Sequence, residues 1–231
     1  MLSGEEWAIV VLSLQVSGVA MMFTLPIAFA LAWVLARGHF PGKIVLDAVV
    51  HLPLVLPPVV TGWLLLLTFG NVSPIGAALQ HTFGFTFMFR WTGAALAAAI
   101  MALPLMVRAI RLSIEAVDRR YEAAARSLGA SSWRAFLTIT LPLCTPGILA
   151  AMTLGFARSL GEFGATITFV SNIPGETRTL PLAIYAALQV PGGDAMVARL
   201  AFIAIALSLV ALIVSETLAR RSLGSRPHHV V

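Results

Sequence analysis

Arg158 and Glu162 stand four residues apart near the end of a long apolar stretch. On a helix this spacing brings a cation beside a carboxylate, so the two side chains could neutralise each other. Ionisable groups at membrane depth are costly and indicate a functional contact by default. Two interpretations stay open: a structural ion pair near a membrane surface, or direct contact with a ligand.

The other reactive residues form no catalytic or metal-binding pattern. Cys144 is the single cysteine, which excludes an internal disulfide and a thiolate cluster. The five histidines lack the spacing of a ligand pair such as H-E-x-x-H. The single lysine, Lys43, lies in Gly42-Lys43-Ile44 and not in the phosphate-binding loop G-x-x-x-x-G-K-[ST]. We expect neither an enzyme nor a resident metal or cofactor.

The composition indicates an integral membrane protein. Hydrophobic residues make up 59% of the chain and charged residues 11%, against about 45–50% and 25% in soluble domains. The formal net charge of +5 does not indicate nucleic-acid binding, because no basic patch is interleaved with exposed aromatic residues. In a membrane protein such charge usually gathers in cytoplasmic loops.

The hydropathy pattern predicts an all-α, polytopic protein with one membrane domain over residues 1–231. Between its last two spans, residues 161–193 are too polar and too rich in Gly and Pro for a simple span. We expect a partial helix there that dips back from the outer side. The five predicted spans cover about 7–36, 44–69, 91–110, 136–157 and 195–218.

Most of the 15 basic residues fall on one side of these five spans. The positive-inside rule then places the amino terminus outside and the carboxyl terminus in the cytoplasm. The sequence has no internal repeat of the kind that builds a pathway from one chain, so a second copy is expected to complete any central path. The residues on the basic side are Arg37, Lys43, Arg108, Arg111, Arg119, Arg120, Arg126, Arg134, Arg220, Arg221 and Arg226.

The longest cytoplasmic connection, residues 119–135, is polar and alanine-rich. Asp118 can cap a helix over 119–128, and Gly129 can take the left-handed conformation that ends it. Ser131 or Ser132 can then cap a second helix that enters the fourth span. The segment could lie on the membrane as an amphipathic helix, but its apolar face is small for a lipid anchor. Small side chains also permit close docking of another protein.

The spacing from Gly129 through nine residues to Ile139-Thr-Leu141-Pro142 resembles the E-A-A loop of bacterial ABC-transporter permeases. Glu122 stands one residue earlier than the usual glutamate of that loop, whose position is taken by Ala123. The resemblance implies a type I importer permease fold in which this loop forms a cytoplasmic coupling helix. It assigns contact with the ATPase subunit to Glu122, Ala123, Ala124, Arg126, Gly129 and Ala130.

Longer runs are similar to the molybdate permeases of that class. They are HLPLVLPPVV from His51, PLMVRAIRL from Pro104, ARSLGEFGATITFVSNIPGETRTLP from Ala157, and a later LQVPGG. The resemblance implies a homodimer in the bacterial inner membrane that transports molybdate inward. Its implied partners are two ABC ATPase subunits, which bind ATP and Mg, and a periplasmic molybdate-binding protein.

Two alternatives remain. The same machine could carry tungstate, sulfate or thiosulfate, since permeases for those ions look similar around Gly-Glu-Phe-Gly. A self-sufficient secondary transporter is a more distant alternative, because it would need internal repeats and a relay of intramembrane carboxylates, of which only Glu162 is present.

An ion of charge −2 must cross without being held too tightly for release. We therefore expect a wide, transient passage that uses hydroxyls, backbone amides and water rather than fixed cations. The threonines could instead bond to their own helix backbone. The candidate pathway residues are Thr61, Ser159, Gly161, Glu162, Thr166 and Thr168.

Overall fold

The structure, a computed structural model, describes residues 3–224. For residues 215, 216 and 218–224 it describes only the backbone. The described part of the chain is helical and has no strand. Arg226, which contributed to the predicted orientation, lies outside the described residues. The elements are α1 (Gly4–Arg37), α2 (Lys43–Val55), α3 (Pro58–Phe69), α4 (Pro74–Phe83), α5 (Trp91–Glu115), α6 (Arg119–Ser127), α7 (Ser132–Ala135), a π-helical turn (Phe136–Thr140), α8 (Leu141–Leu160), α9 (Gly164–Val170), α10 (Leu180–Leu188) and α11 (Asp194–Gly224).

Within residues 3–224, four helical stretches are long and apolar enough to cross a membrane. A fifth span results if α2 and α3 are counted together, which agrees with the prediction of about five transmembrane helices. The four stretches are Gly4–Arg37, Trp91–Glu115, Ser132–Leu160 and Asp194–Val214.

The predicted span over 44–69 needs correction, because α2 and α3 meet at 115°. The break falls at Leu56 and Pro57, which both have extended backbone conformations. Pro57 and Pro58 lack backbone N–H groups, and each proline disfavours the helical conformation in the residue before it. The two consecutive prolines therefore end one helix and start the next.

The remaining predicted spans differ from the helices mainly in length. The helix at the third predicted span, α5, continues to Glu115 instead of ending near 110. Arg108 and Arg111 therefore belong to its last two turns and not to a loop. Residues 161–193 form two short helices, α9 and α10. The helix α4 was not predicted, although Ser73 caps it by accepting a hydrogen bond from Gly76 N at 2.9 Å.

The core lies around α5, which packs against α1 on one side and α8 on the other. In the most apolar part of α5, 61% of the residues are buried, against 6% in α11, so α11 is the peripheral helix. Many contacts of α5 are made by alanines such as Ala94, Ala97 and Ala98, all nearly inaccessible. Small residues let transmembrane helix backbones approach closely, so α1 and α8 can both pack against α5.

Candidate functional site

The segment 119–135 folds into the two capped helices that its sequence predicts. Asp118 accepts a hydrogen bond from Arg120 N at 2.9 Å and so caps α6. Gly129 has φ of +93°, with its N–H bonded to Arg126 O, and Ala130 N donates to Ala125 O. These two bonds form a Schellman motif, which glycine favours because it tolerates positive φ. Of the two candidate caps for α7, Ser131 is the one that accepts a bond, from Arg134 N.

Glu122 fastens α6 to two other helices. Its Oε1 accepts a hydrogen bond from the hydroxyl of Thr140, at the end of the π-helical turn, and another from Arg37 Nη2 at 3.1 Å. Arg37 is the last residue of α1 and lies over the Trp33 ring, 5.8 Å from its centroid. Glu122 therefore faces the body of the protein and connects the first half of the segment with α1 and α8.

The face of α6 opposite Glu122 is exposed in the described part of the chain. Ala123 and Ala124 are exposed, as are the larger side chains of Tyr121 and Leu128, the latter at 89%. Arg126, one turn after Glu122 on the same side of the helix, is exposed as well. Exposed apolar side chains beside small residues are typical of a surface on which another protein docks. Of the six predicted coupling residues, four are thus exposed here, counting Gly129, while Glu122 and Ala130 are half-buried.

An aromatic cluster supports the start of the helix that follows. Phe136 stands edge-on to Trp33, with ring centroids 4.9 Å apart, and stacks on Trp133 at 5.4 Å. Phe29 also contacts Phe136 edge-on. The cluster joins α1 to the π-helical turn just above the Glu122 bonds. Single π-helical turns inside longer helices frequently occur at functional positions.

The predicted pathway residues lie at the other end of α8, on and around α9. Thr61 and Ser159 are buried, and their hydroxyls have no hydrogen-bond partner in the described part of the chain. Thr166 is also buried, whereas Gly161 is exposed and ends α8. The Thr168 hydroxyl donates to Gly164 O. This residue therefore makes the bond to its own helix backbone that the sequence left open as an alternative to a pathway role.

Glu162 is buried and makes two kinds of contact. Its Oε2 forms an ion pair with Arg158 Nη1, four residues earlier, and its Oε1 accepts a hydrogen bond from Ala165 N at 2.8 Å. The first contact is the helical pair that the spacing indicates. The second places a carboxylate at the start of α9, where free backbone N–H groups favour negative charge.

α3 and α9 pack closely, and this brings Thr61 near α9. A Cβ on Gly62 would lie 2.5 Å from Ala165 O and 2.9 Å from Thr168 Cβ, so no larger residue fits there. The pathway candidates therefore lie on α3 and α9, which pack together, and at the end of α8 that precedes α9. They are separated from the 119–135 segment by the 20 residues of α8, which span about 30 Å at 1.5 Å per residue.

A polar cluster between α2 and α5 was missed by the sequence reasoning. Arg111 donates to Asp47 Oδ1 at 3.0 Å and to Glu115 Oε1 at 2.8 Å. His51 lies one turn after Asp47, with Nδ1 3.2 Å from its Oδ1. The available signal was the i, i+4 spacing of Asp47 with His51 and of Arg111 with Glu115. Among the described residues, no group of His, Cys, Asp and Glu is arranged to hold a metal ion.

The family described as "Binding-protein-dependent transport system inner membrane component" matches residues 8–223. The chain belongs to this family. The permease is also similar over nearly its full length to the "Molybdenum transport system permease protein ModB" of Escherichia coli (strain K12). The two are 60% identical over 221 residues, which cover 96% of each chain.

Other proteins are similar to the permease over most of its length. The ModB protein of Haemophilus influenzae is 57% identical over 210 residues, 91% of this chain and 92% of that protein. The "Sulfate transport system permease protein CysT" of Escherichia coli (strain K12) is 36% identical, over 88% of this chain and 73% of that protein. A crystal structure of a bacterial ABC transporter that imports alginate matches with a TM-score of 0.75 at 19% identity, over 95% of this chain and 80% of that one. At that identity the match concerns the fold alone, which is that of ABC importer permeases.

Proposed function

We propose that this chain is the permease subunit of an ATP-driven importer of molybdate. The observation that carries the proposal is the 60% identity to a molybdenum transport permease over 96% of both chains. Sulfate is the second candidate cargo, supported by the 36% identity to CysT. The stronger similarity favours molybdate.

In this proposal two copies of the chain enclose the pathway, and ATP hydrolysis takes place on two partner ATPase subunits. The sequence has no phosphate-binding loop of its own. A periplasmic molybdate-binding protein delivers the ion. The amino terminus lies outside and the carboxyl terminus in the cytoplasm, so the basic ends of α1 and α5 face the ATPases.

The ATPase docks on the exposed face of α6 and on the turn at Gly129. This assignment is supported by the exposure of Tyr121, Ala124 and Leu128. Glu122, on the other face, transmits the movement of α6 to Arg37 at the end of α1 and to Thr140 at the start of α8.

Closure of the ATPases around ATP draws the two 119–135 segments together and opens the path outward. Hydrolysis and product release restore the inward-facing state. ATP can drive this change only because it binds the two conformations with different affinity. The ion then passes the hydroxyls of Thr61, Ser159 and Thr166, which are buried beside α9 and carry no charge that would retain a dianion.

Uptake by proteoliposomes tests the proposal. The vesicles contain this chain with its partner ATPase subunits. The binding protein and ATP are each added or left out, inside or outside the vesicles. We expect molybdate uptake only when all components are present, with ATP on the face that carries α6. Uptake of sulfate but not molybdate would favour the second cargo, and uptake by the chain alone, driven by a proton gradient, would contradict the proposal.

A further inference from the structure

A cavity of about 320 Å³ lies between α2 and the last two turns of α5. It opens at the end of the bundle where α2 begins and α5 ends, which is the end that carries α6. A water molecule occupies about 30 Å³ of liquid, so the cavity can hold a small ion together with several waters. Its lining residues are Asp47, His51, Arg108, Arg111, Leu112 and Glu115.

The charges of Arg111 are already used within the protein. Its Nε is bonded to Glu115 and its Nη1 to Asp47, so both carboxylates of the cavity are directed at this one guanidinium. The Asp47 carboxylate also receives the ring of His51. This network connects α2 with α5, and that structural role is sufficient to explain why these charged residues are present.

Arg108 has no part in that network. It precedes Arg111 by three residues, which places it on the same face of α5, and its side chain is exposed. In the part of the chain that the structure describes, no hydrogen bond or ion pair engages it. The cavity thus has one guanidinium with its hydrogen-bond donors free, next to a second one held in place by carboxylates.

We propose that this cavity is a weak binding site for a tetrahedral oxyanion, with Arg108 as its main contact. A guanidinium presents paired N–H donors that match the oxygens of such an ion. Asp47 and Glu115 face the same space and limit the affinity, so a bound ion is released readily. The identity of the free ion rests on the proposed function, in which the ion is the cargo leaving toward the cytoplasm. The phosphate of an anionic lipid headgroup has the same chemistry and is the other possible source.

Equilibrium binding of radiolabelled molybdate, sulfate and phosphate to the full-length chain in nanodiscs tests the site. In discs of phosphatidylcholine alone we expect saturable binding that Arg108→Gln weakens by about 10- to 100-fold, the range for loss of a charge-assisted hydrogen bond. Arg108→Lys should keep more of the affinity than the glutamine variant. The matched control is Arg90→Gln, which removes the same charge at the other end of α5 and should leave binding unchanged.

A second variant should act in the opposite direction. Asp47→Asn removes one negative charge from the cavity while its amide oxygen can still accept the bond from Arg111, so repulsion of an anion falls and binding should become several-fold tighter. Unchanged binding in Arg108→Gln, or equal weakening in Arg90→Gln, would overturn the proposal. Both measurements use the folded chain, which fluorescence-detected gel filtration checks for each variant.

Discs that contain phosphatidylglycerol distinguish the two sources. If a headgroup fills the site, native mass spectrometry should detect retained phosphatidylglycerol in the unsubstituted chain but not in Arg108→Gln, and free ions should bind poorly to these discs. Binding of sulfate but not molybdate, lost in Arg108→Gln, would support the site while contradicting the proposed cargo. The binding experiment contains no ATPase and measures no transport. A failure of the proposed transport function therefore does not change the measured binding to this site.

Discussion

The carboxylate of Glu122 accepts a hydrogen bond from the hydroxyl of Thr140, 18 residues later in the chain. Thr140 is fully buried, whereas the side chain of Glu122 retains 26% of its exposure. The same carboxylate oxygen receives Arg37 from the end of α1. Three helical segments therefore meet at one oxygen atom, and α6 cannot shift without moving or breaking these bonds.

Removing this link should reduce both stability and coupling. We expect Glu122→Ala to lower the free energy of unfolding by about 1–3 kcal/mol, because the half-buried Arg37 loses a charged partner. In the reconstituted transporter, ATP hydrolysis should continue while molybdate uptake falls at least several-fold. Cys144 is buried and is the single cysteine, so a thiol-reactive fluorophore reports unfolding of the purified chain directly.

The control for this variant is Glu176→Ala. Glu176 is exposed and lies in the connection between α9 and α10, away from α6. The substitution Glu176→Ala removes the same charge as Glu122→Ala and should change neither stability nor transport. If both alanine variants reduce uptake equally, the link at Glu122 is not the cause.

Gly129 should tolerate few replacements. Its φ of +93° strains other L-residues, although the space around it is open. Gly129→Ala should cost about 1–2 kcal/mol, and Gly129→Pro cannot adopt this φ. We expect the proline variant to keep ATPase activity but lose uptake, measured in the same vesicles. Gly175→Ala changes a glycine of φ +77° in the α9–α10 connection, so it should cost similar stability without uncoupling; normal uptake by Gly129→Pro would falsify the coupling assignment.

The sequence predicts local features of this protein better than contacts between distant residues. Asp118, Gly129 and Ser131 act as caps because capping depends on neighbours within a few residues. The break at Pro57 has a local cause too, but consecutive prolines do not by themselves set its angle of 115°. The contact between Asp47 and Arg111 joins residues 64 positions apart, and no sequence periodicity relates them. The candidate pathway residues stay a prediction, and the sequence does not indicate that α3 packs against α9.

The packing of α3 on α9 should be sensitive to a single methyl group. In Gly62→Ala the new Cβ would meet backbone atoms of Ala165, which cannot rotate away. Overpacking of this kind costs about 1–3 kcal/mol, and the fluorophore assay on Cys144 should record it. Gly18→Ala provides the comparison, because nothing lies within 4 Å of its Cβ and alanine favours the helix. Equal stability of the two variants would mean that α3 and α9 are not held at this distance.

Arg158 and Glu162 should behave as a structural pair when they are changed singly and together. The Glu162 side chain is 2% exposed and that of Arg158 is 25% exposed, so removal of either partner leaves a charge with reduced access to water. We expect Glu162→Gln and Arg158→Gln each to destabilise the chain by up to about 3–5 kcal/mol, the cost of removing one partner of a buried ion pair. The double variant should recover part of the loss, since neither charge remains. The glutamine at 162 can still accept the bond from Ala165 N.

Transport by the double variant decides between the two interpretations of this pair. If the ion pair is structural, a double variant that folds should carry molybdate at a rate close to that of the unsubstituted chain, because a pathway of hydroxyls and water does not require its charges. If Arg158 contacts the ion, uptake should fall at least tenfold even where the fluorophore assay records recovered stability. Uptake and unfolding measured on the same preparations therefore separate a loss of folding from a loss of contact with the ion.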